Sequence, residues 1–355
     1  MLQALRTRVR TRLAQWAHRR ALKNPRFGGL YFLLDGSFDR EFSSVLHGRS
    51  AHASTAESPT SPARTDADAF TLRRNTHRIE KGLLMRPRRP VFALEYIEET
   101  VAAFATILPL ETSDPDLILW AVDVLDEYFR VVDAVSPVDA AHETYRTARA
   151  TFVRPDDPTR RIPYHRETAP LSIDIDELAA LAHRRRSVRW FTDQAVPRDA
   201  IDRALEVALQ SPSACNRQPY VFHIFDDPEL VQAVGVIPMG TKGYAQNIPA
   251  IAVLVGRQRA YFNERDRHLI YIDGALAAMS FMYGLEVQGI ASCPINWPDI
   301  ANRETRMARL LGLATDERPV MLIAFGYPDP EGTVAFSQKK PLSKARTYNV
   351  APGAS

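Results

Sequence analysis

Cysteine is nearly absent from this chain: 355 residues include only Cys215 and Cys293, far apart and in no Cys-x-x-Cys pair. A disulfide framework and a cysteine-rich zinc site are excluded, no metal site is expected, and a reducing, cytoplasmic setting fits best. Long apolar runs are lacking too. No stretch approaches the ~20 residues needed to span a bilayer, and arginines break every short apolar stretch near the start, which leaves no secretory core. Charge of one sign is not in excess. Lys and Arg number 45 against 42 Asp and Glu, a net of +3, so strong non-specific binding of nucleic acid is not expected. Neither Gly-x-Gly-x-x-Gly nor a phosphate-loop pattern occurs, which removes support for a Rossmann or nucleoside-triphosphate site.

What is present is a globular composition, 45% hydrophobic and 25% charged, enough for one large domain or two modest ones. Residues 1–26 place Leu2, Leu5, Val9, Leu13 and Trp16 at helical spacing among seven arginines and no acid. This basic amphipathic helix packs on its own domain, lies on an anionic membrane surface or a partner, or acts as a transit segment. From 48 to 69 the composition turns to Ser, Ala, Thr, Pro and Asp without apolar periodicity, which predicts a mobile linker. Beyond it, 91–108 and 117–134 carry apolar residues at i, i+3, i+4 and i+7 between prolines, so residues 1–165 are expected to form a helical extension ahead of a second domain over 166–355. Within the extension, His77 and Glu80 share a helix face at i, i+3, either as a salt-bridged surface or as side chains reaching a pocket.

In the second half a helix begins at Asp174, another opens at Pro197-Arg198-Asp199, and strands are expected at 220–225, 250–255 and 320–325. The stretch 269–285 is apolar on nearly all sides through Ile272, Leu276, Met279 and Met282, which fits a core or a subunit interface and favours an obligate dimer. Two polar clusters flank one amphipathic helix. The first is Arg184-Arg185-Arg186-Ser187-Val188-Arg189-Trp190-Phe191, cationic groups at a helix end that suit a phosphate. The second is Ser211-Pro212-Ser213-Ala214-Cys215-Asn216-Arg217-Gln218-Pro219, short hydroxyls and amides in a proline-bounded turn.

This pair of clusters resembles the signature of the nitroreductase family of flavin enzymes. Ala291-Ser292-Cys293-Pro294-Ile295-Asn296 and Ser337-Gln338-Lys339-Lys340-Pro341-Leu342 continue the match in order, from about Leu171 to the end. The resemblance implies an α+β, three-layer fold with a central mixed sheet wrapped by helices, preceded here by the helical region. It implies FMN as cofactor, NAD(P)H as reductant, a small-molecule acceptor, and a homodimer with the flavin at the subunit interface. Arg185, Arg186 and Ser187, with Lys339 or Lys340, would take the phosphate, and Arg189 would approach the electron-rich pyrimidine end of the ring. Pro212, Ser213, Asn216 and Gln218 would contact the ring and its side chain, and Pro294, Ile295 and Asn296 would form a shelf over the other face.

No catalytic side chain is nominated, because the chemistry is centred on the flavin. Tyr244, Trp297, His77 and Glu80 are candidate pocket walls, each with a packing alternative. The acceptor implied is a nitro compound, a quinone or another electron-poor molecule, a polysaccharide-pathway metabolite included. Dehalogenating members of the family grip substrate with an acid, a Tyr and a Lys from a lid, a spacing not found here. The alternative is a flavin-binding interaction protein docked through the basic N-terminal helix.

Overall fold

The computed structural model describes residues 24–36, 38–53 and 62–349. The basic helix read over 1–26 lies outside these residues but for its last three. Six helices come first: α1 (Pro25–Asp35), α2 (Asp39–Ala53), α3 (Pro62–Leu83), α4 (Ile97–Ile107), α5 (Pro115–Val131) and α6 (Ser136–Arg149). Local chemistry sets several starts. Asp114 accepts from the N–H groups of Asp116 and Leu117 at 3.0 and 3.3 Å, with Pro115 in the first turn, the arrangement that satisfies orphan donors. The core of this layer gathers Leu72 and Ile79 of α3, Val101 and Phe104 of α4, and Val122, Leu125 and Tyr128 of α5.

The linker expected over 48–69 is corrected at both ends. α2 runs to Ala53 and α3 starts at Pro62. The inward face of α3 carries Ala67, Asp68, Thr71, Leu72, Asn75, Thr76 and Ile79, all buried. Five of those seven are polar or small, so the 3.6-residue period does not register as hydrophobicity.

After α7 (Ile175–Arg184), begun by a reciprocal Asp174–Glu177 capping box, and α8 (Arg198–Leu209), the sheet follows: β1 (Tyr220–Phe225), β2 (Ala250–Arg257), β3 (Ala291–Asn296) and β4 (Glu317–Gly326). Its order is β1-β2-β4-β3 with every pair antiparallel. A parallel component enters only as the isolated bridge from Ser187 to Ser292. β2 is buried on both faces, as its unbroken apolar run requires. Ile251, Val253 and Val255 pack with Val231 and Val234 of α9 (Pro228–Gly235) and Met307 of α11 (Ala301–Leu311). Ala250, Ala252 and Leu254 pack on the other side with α8 and α10 (Leu269–Glu286). Helices thus cover both faces, three layers in all. α8 and α10 meet closely: a Cβ at Gly284 would sit 2.9 Å from Ala204 Cα. The opposite face of α10 leaves Ile272 and Leu276 exposed. No helix among the described residues is long and apolar enough to cross a membrane.

The helical layer is fastened to the sheet domain by buried charge. Arg318, 5% exposed, reaches Glu41 and Glu304 at 2.6 Å each and Asp299 at 3.3 Å, and Tyr271 OH donates to Glu41 at 2.9 Å. Arg259 joins Asp316 at 2.7 Å to Asp66 at 3.0 Å.

Candidate functional site

The first polar cluster leaves α7 and runs along the outer edge of β3, where Val188 N–H donates to Ser292 O at 3.1 Å. Arg184 is committed to Glu286 at 3.1 Å. Arg185, Arg186 and Arg189 have no acidic partner among the described residues. Arg186 donates to the backbone carbonyl of Arg185 and Arg189 to that of Ser187. Two polar atoms are buried here without a partner, Arg185 Nε and Ser292 Oγ. Orphans of this kind are costly unless a ligand or water satisfies them. Unpaired guanidinium groups beside a buried hydroxyl suit a phosphate, so these residues fit the anionic end of FMN.

Tyr244 lies alongside, with Arg189 over its ring at 5.8 Å and its hydroxyl 3.8 Å from Cys293 Sγ. Burial pushes the pKa of both Tyr244 and Cys293 up, so each stays neutral near pH 7. Pro294 is half-buried, Ile295 buried and Asn296 exposed on β3. Trp297 packs into the core beneath, its indole N–H donating to Glu304 at 3.2 Å. Lys339 and Lys340 are exposed on the irregular C-terminal segment, without an acidic partner among the described residues.

The second cluster is built differently. Cys215, Asn216 and Gln218 hold φ of +54°, +52° and +51°, a conformation costly for residues with a side chain. The turn is held there by its neighbours. Ala214 N–H donates to Asp273 Oδ2 at 3.1 Å, Gln218 N–H to Ser213 Oγ at 3.0 Å, and Gln218 Nε2 to Asn216 Oδ1 at 3.1 Å. Tyr261 OH also donates to Asp273, whose carboxyl is pushed up by burial. Helix α3 of the N-terminal layer packs directly against this turn.

His77 and Glu80 do not line it together. They pair with each other at 3.4 Å, and Glu80 also accepts from Trp120 Nε1 at 2.9 Å, which commits both within the helical layer. Of the α3 side chains, Arg74 lies near enough to the turn to feel Arg217 and Cys215, and Arg78 follows one turn later over Tyr96. Burial and then the charges of Arg78 and Arg217 hold Arg74 below its ordinary value, while Glu99 and Cys215 act against them. Sequence reading passed over these arginines because a charged helical face ordinarily reads as solvated.

The two clusters are not brought together in one chain. Ser187 lies beyond β3 at one edge of the sheet, and the 213–218 turn enters β1 at the other. Four strand spacings put them roughly 20 Å apart across the sheet, and the register puts them at opposite strand ends, a similar distance again. One ligand touched by both needs a second copy of the chain.

The description Nitroreductase family matches residues 182–239 and 237–327. Human iodotyrosine deiodinase 1 is 25% identical over 200 residues, 47% of this chain and 67% of that protein. An NADH dehydrogenase from Thermus thermophilus is 27% identical over 192 residues, 45% of this chain and 91% of that one. Among solved structures, an FMN-dependent nitroreductase from Clostridium difficile aligns with a TM-score of 0.41 at 21% identity, over 48% of this chain and 99% of that chain.

Proposed function

We propose that the protein is an FMN-dependent oxidoreductase that uses NAD(P)H to reduce an organic acceptor, a reading supported by the Nitroreductase family match over residues 182–239 and 237–327. The observation that carries this reading is the pair of buried, unpartnered atoms Arg185 Nε and Ser292 Oγ beside the uncommitted Arg186 and Arg189. When bound, FMN supplies a ring that takes up hydride and passes it on. The chain's own residues hold and tune it. Arg185, Arg186 and Ser187 take the phosphate, with Lys339 or Lys340 as a further cation, and Arg189 places positive charge at the ring edge where reduction adds electron density. Ser213, Asn216 and Gln218 contact the ring from a second copy, since one chain keeps them too far from Arg185. The exposed Ile272 and Leu276 of α10 suit the apolar centre of such a two-fold interface.

The test is direct. Full-length protein loaded with FMN should stay yellow through gel filtration as a dimer, and NADH or NADPH should bleach it anaerobically. Colourless protein after FMN addition, or bound flavin that neither nicotinamide bleaches, overturns the proposal. Reductive dehalogenation of an aromatic substrate is a second reading, favoured by the 25% identity to iodotyrosine deiodinase 1. Halide release from iodotyrosine by the reduced protein would support it, and reoxidation by nitro compounds or quinones without halide release would reject it.

A further inference from the structure

At the seam between α3 and the 213–218 turn, three guanidinium groups meet too few carboxylates. Arg217 is 5% exposed, its guanidinium 4.7 Å from the centre of the Tyr261 ring, and it forms no ion pair among the described residues. Arg74 lies over the next ring in sequence, Phe262, at 4.6 Å, so adjacent aromatics carry arginines from both layers. Arg78 sits 3.5 Å over Tyr96 and donates to Asn75 Oδ1 at 3.3 Å. On the acidic side, Glu99 is 3.7 Å from Arg74 and already accepts from Asn75 Nδ2 at 2.9 Å. Asp273 is occupied by Ala214 N–H and Tyr261 OH. His52, stacked on Phe262 at 4.9 Å, adds another buried polar atom without a partner, its Nδ1.

Arg217 is the buried guanidinium of the three, and Asp273 feels its charge without forming an ion pair with it, an unfavourable arrangement unless something binds it. Stacking on an aromatic ring leaves the N–H edge of the guanidinium free in its plane, the geometry that grips carboxylate or phosphate oxygens in pairs. Lysines or solvated arginines would not need these rings.

We infer that Arg74, Arg78 and Arg217 form an anion site for the acidic group, carboxylate or phosphate, of the electron acceptor. This rests on the flavin reading, which places the 213–218 turn against the ring. The helical extension then has a chemical role: α3 supplies two of the three cations, and the site selects acidic acceptors over neutral ones of the same shape.

Calorimetric titration of the FMN-loaded, full-length protein tests it with para-nitrobenzoate, para-nitrophenyl phosphate and the neutral para-nitrobenzyl alcohol. At least one acidic probe should bind about 10-fold or more tightly than the alcohol, and the stronger of the two identifies the anion. Arg78→Gln should erase that difference, and Arg217→Lys, which keeps charge but loses the planar fork, should reduce it. Equal binding of acidic and neutral probes by the native protein overturns the inference. So does a variant that loses its bound-flavin absorbance, because the cluster would then hold the cofactor's own phosphate. If the native protein takes up no flavin, the functional reading fails by itself. Titration of the flavin-free protein then decides the anion site, which falls if Arg78→Gln leaves para-nitrophenyl phosphate binding unchanged.

Discussion

The two polar clusters offer opposite solutions to holding a ligand. The 185–189 segment is ordinary extended backbone along β3, and its arginines are uncommitted. The 213–218 turn is strained backbone, with three residues at positive φ and nearly every neighbour committed to keeping it so. Charge waiting for a ligand needs little preorganisation, whereas amides and hydroxyls that must meet a polar rim need a fixed frame. The frame comes from two sources, Asp273 of the sheet domain and α3 of the helical layer.

The comparison breaks most visibly where the helical layer is fastened. Arg318→Ala would strand the carboxylates of Glu41 and Glu304, and a loss of about 3–5 kcal/mol is expected in urea unfolding. Hydrogen exchange should show the 213–218 turn losing protection while 185–189 changes little. Equal loss at both would mean that the turn does not depend on the extension.

The next largest effect concerns ligand binding. Arg185→Ala should weaken FMN about 10- to 100-fold by fluorescence titration, with stability changed by less than about 0.5 kcal/mol. If each site takes one cluster from each copy, Arg185→Ala and Asn216→Ala chains mixed and reassembled should recover tight FMN in about a quarter of the sites, as half the dimers would be mixed and carry one intact site. No recovery would place both clusters' contributions within one chain.

Backbone strain gives a smaller effect of opposite sign. Cys215→Gly should stabilise the protein by up to about 1 kcal/mol, because glycine tolerates positive φ, while Ser187→Gly on relaxed backbone should destabilise it by about 0.5–1 kcal/mol. Thermal unfolding of the two variants reads the contrast directly.

The smallest effect is a pH dependence at the seam. Burial, together with Arg74 and Arg217 and against Glu99 and the Arg259 backbone, holds His52 below its ordinary value of 6.5. The folded state binds this proton less readily than the unfolded chain. Its contribution is therefore complete above about pH 6.5 and falls as pH drops from there toward the lowered value. His52→Phe should flatten that limb in a stability–pH curve, and an unchanged slope would show that His52 does not titrate there.

Much of the sheet domain was legible in the sequence because its elements are defined by local pattern. The strands at 220–225, 250–255 and 320–325 and the helix at 269–285 stand where apolar runs predicted them. α2 and the first half of α3 were not legible: α2 buries only Ser44 and Gly48, and α3 begins its buried face with Ala67, Asp68 and Thr71, which become core only against another layer. The site was half legible. Arg185, Ser187 and Arg189 carry their chemistry in their order along the chain. Arg74, Arg78 and Arg217 gain theirs from rings 18 to 188 positions away.

By itself the sequence determined the family signature, three of the four sheet strands and the run of cationic residues, because each depends on neighbours within a few residues. Only the tertiary structure decided that the two clusters occupy opposite edges of the sheet, and that the helical layer rests on the strained turn. Strand order and burial of charge depend on contacts between distant segments, where a polar helix face and a solvated one are written with the same residues.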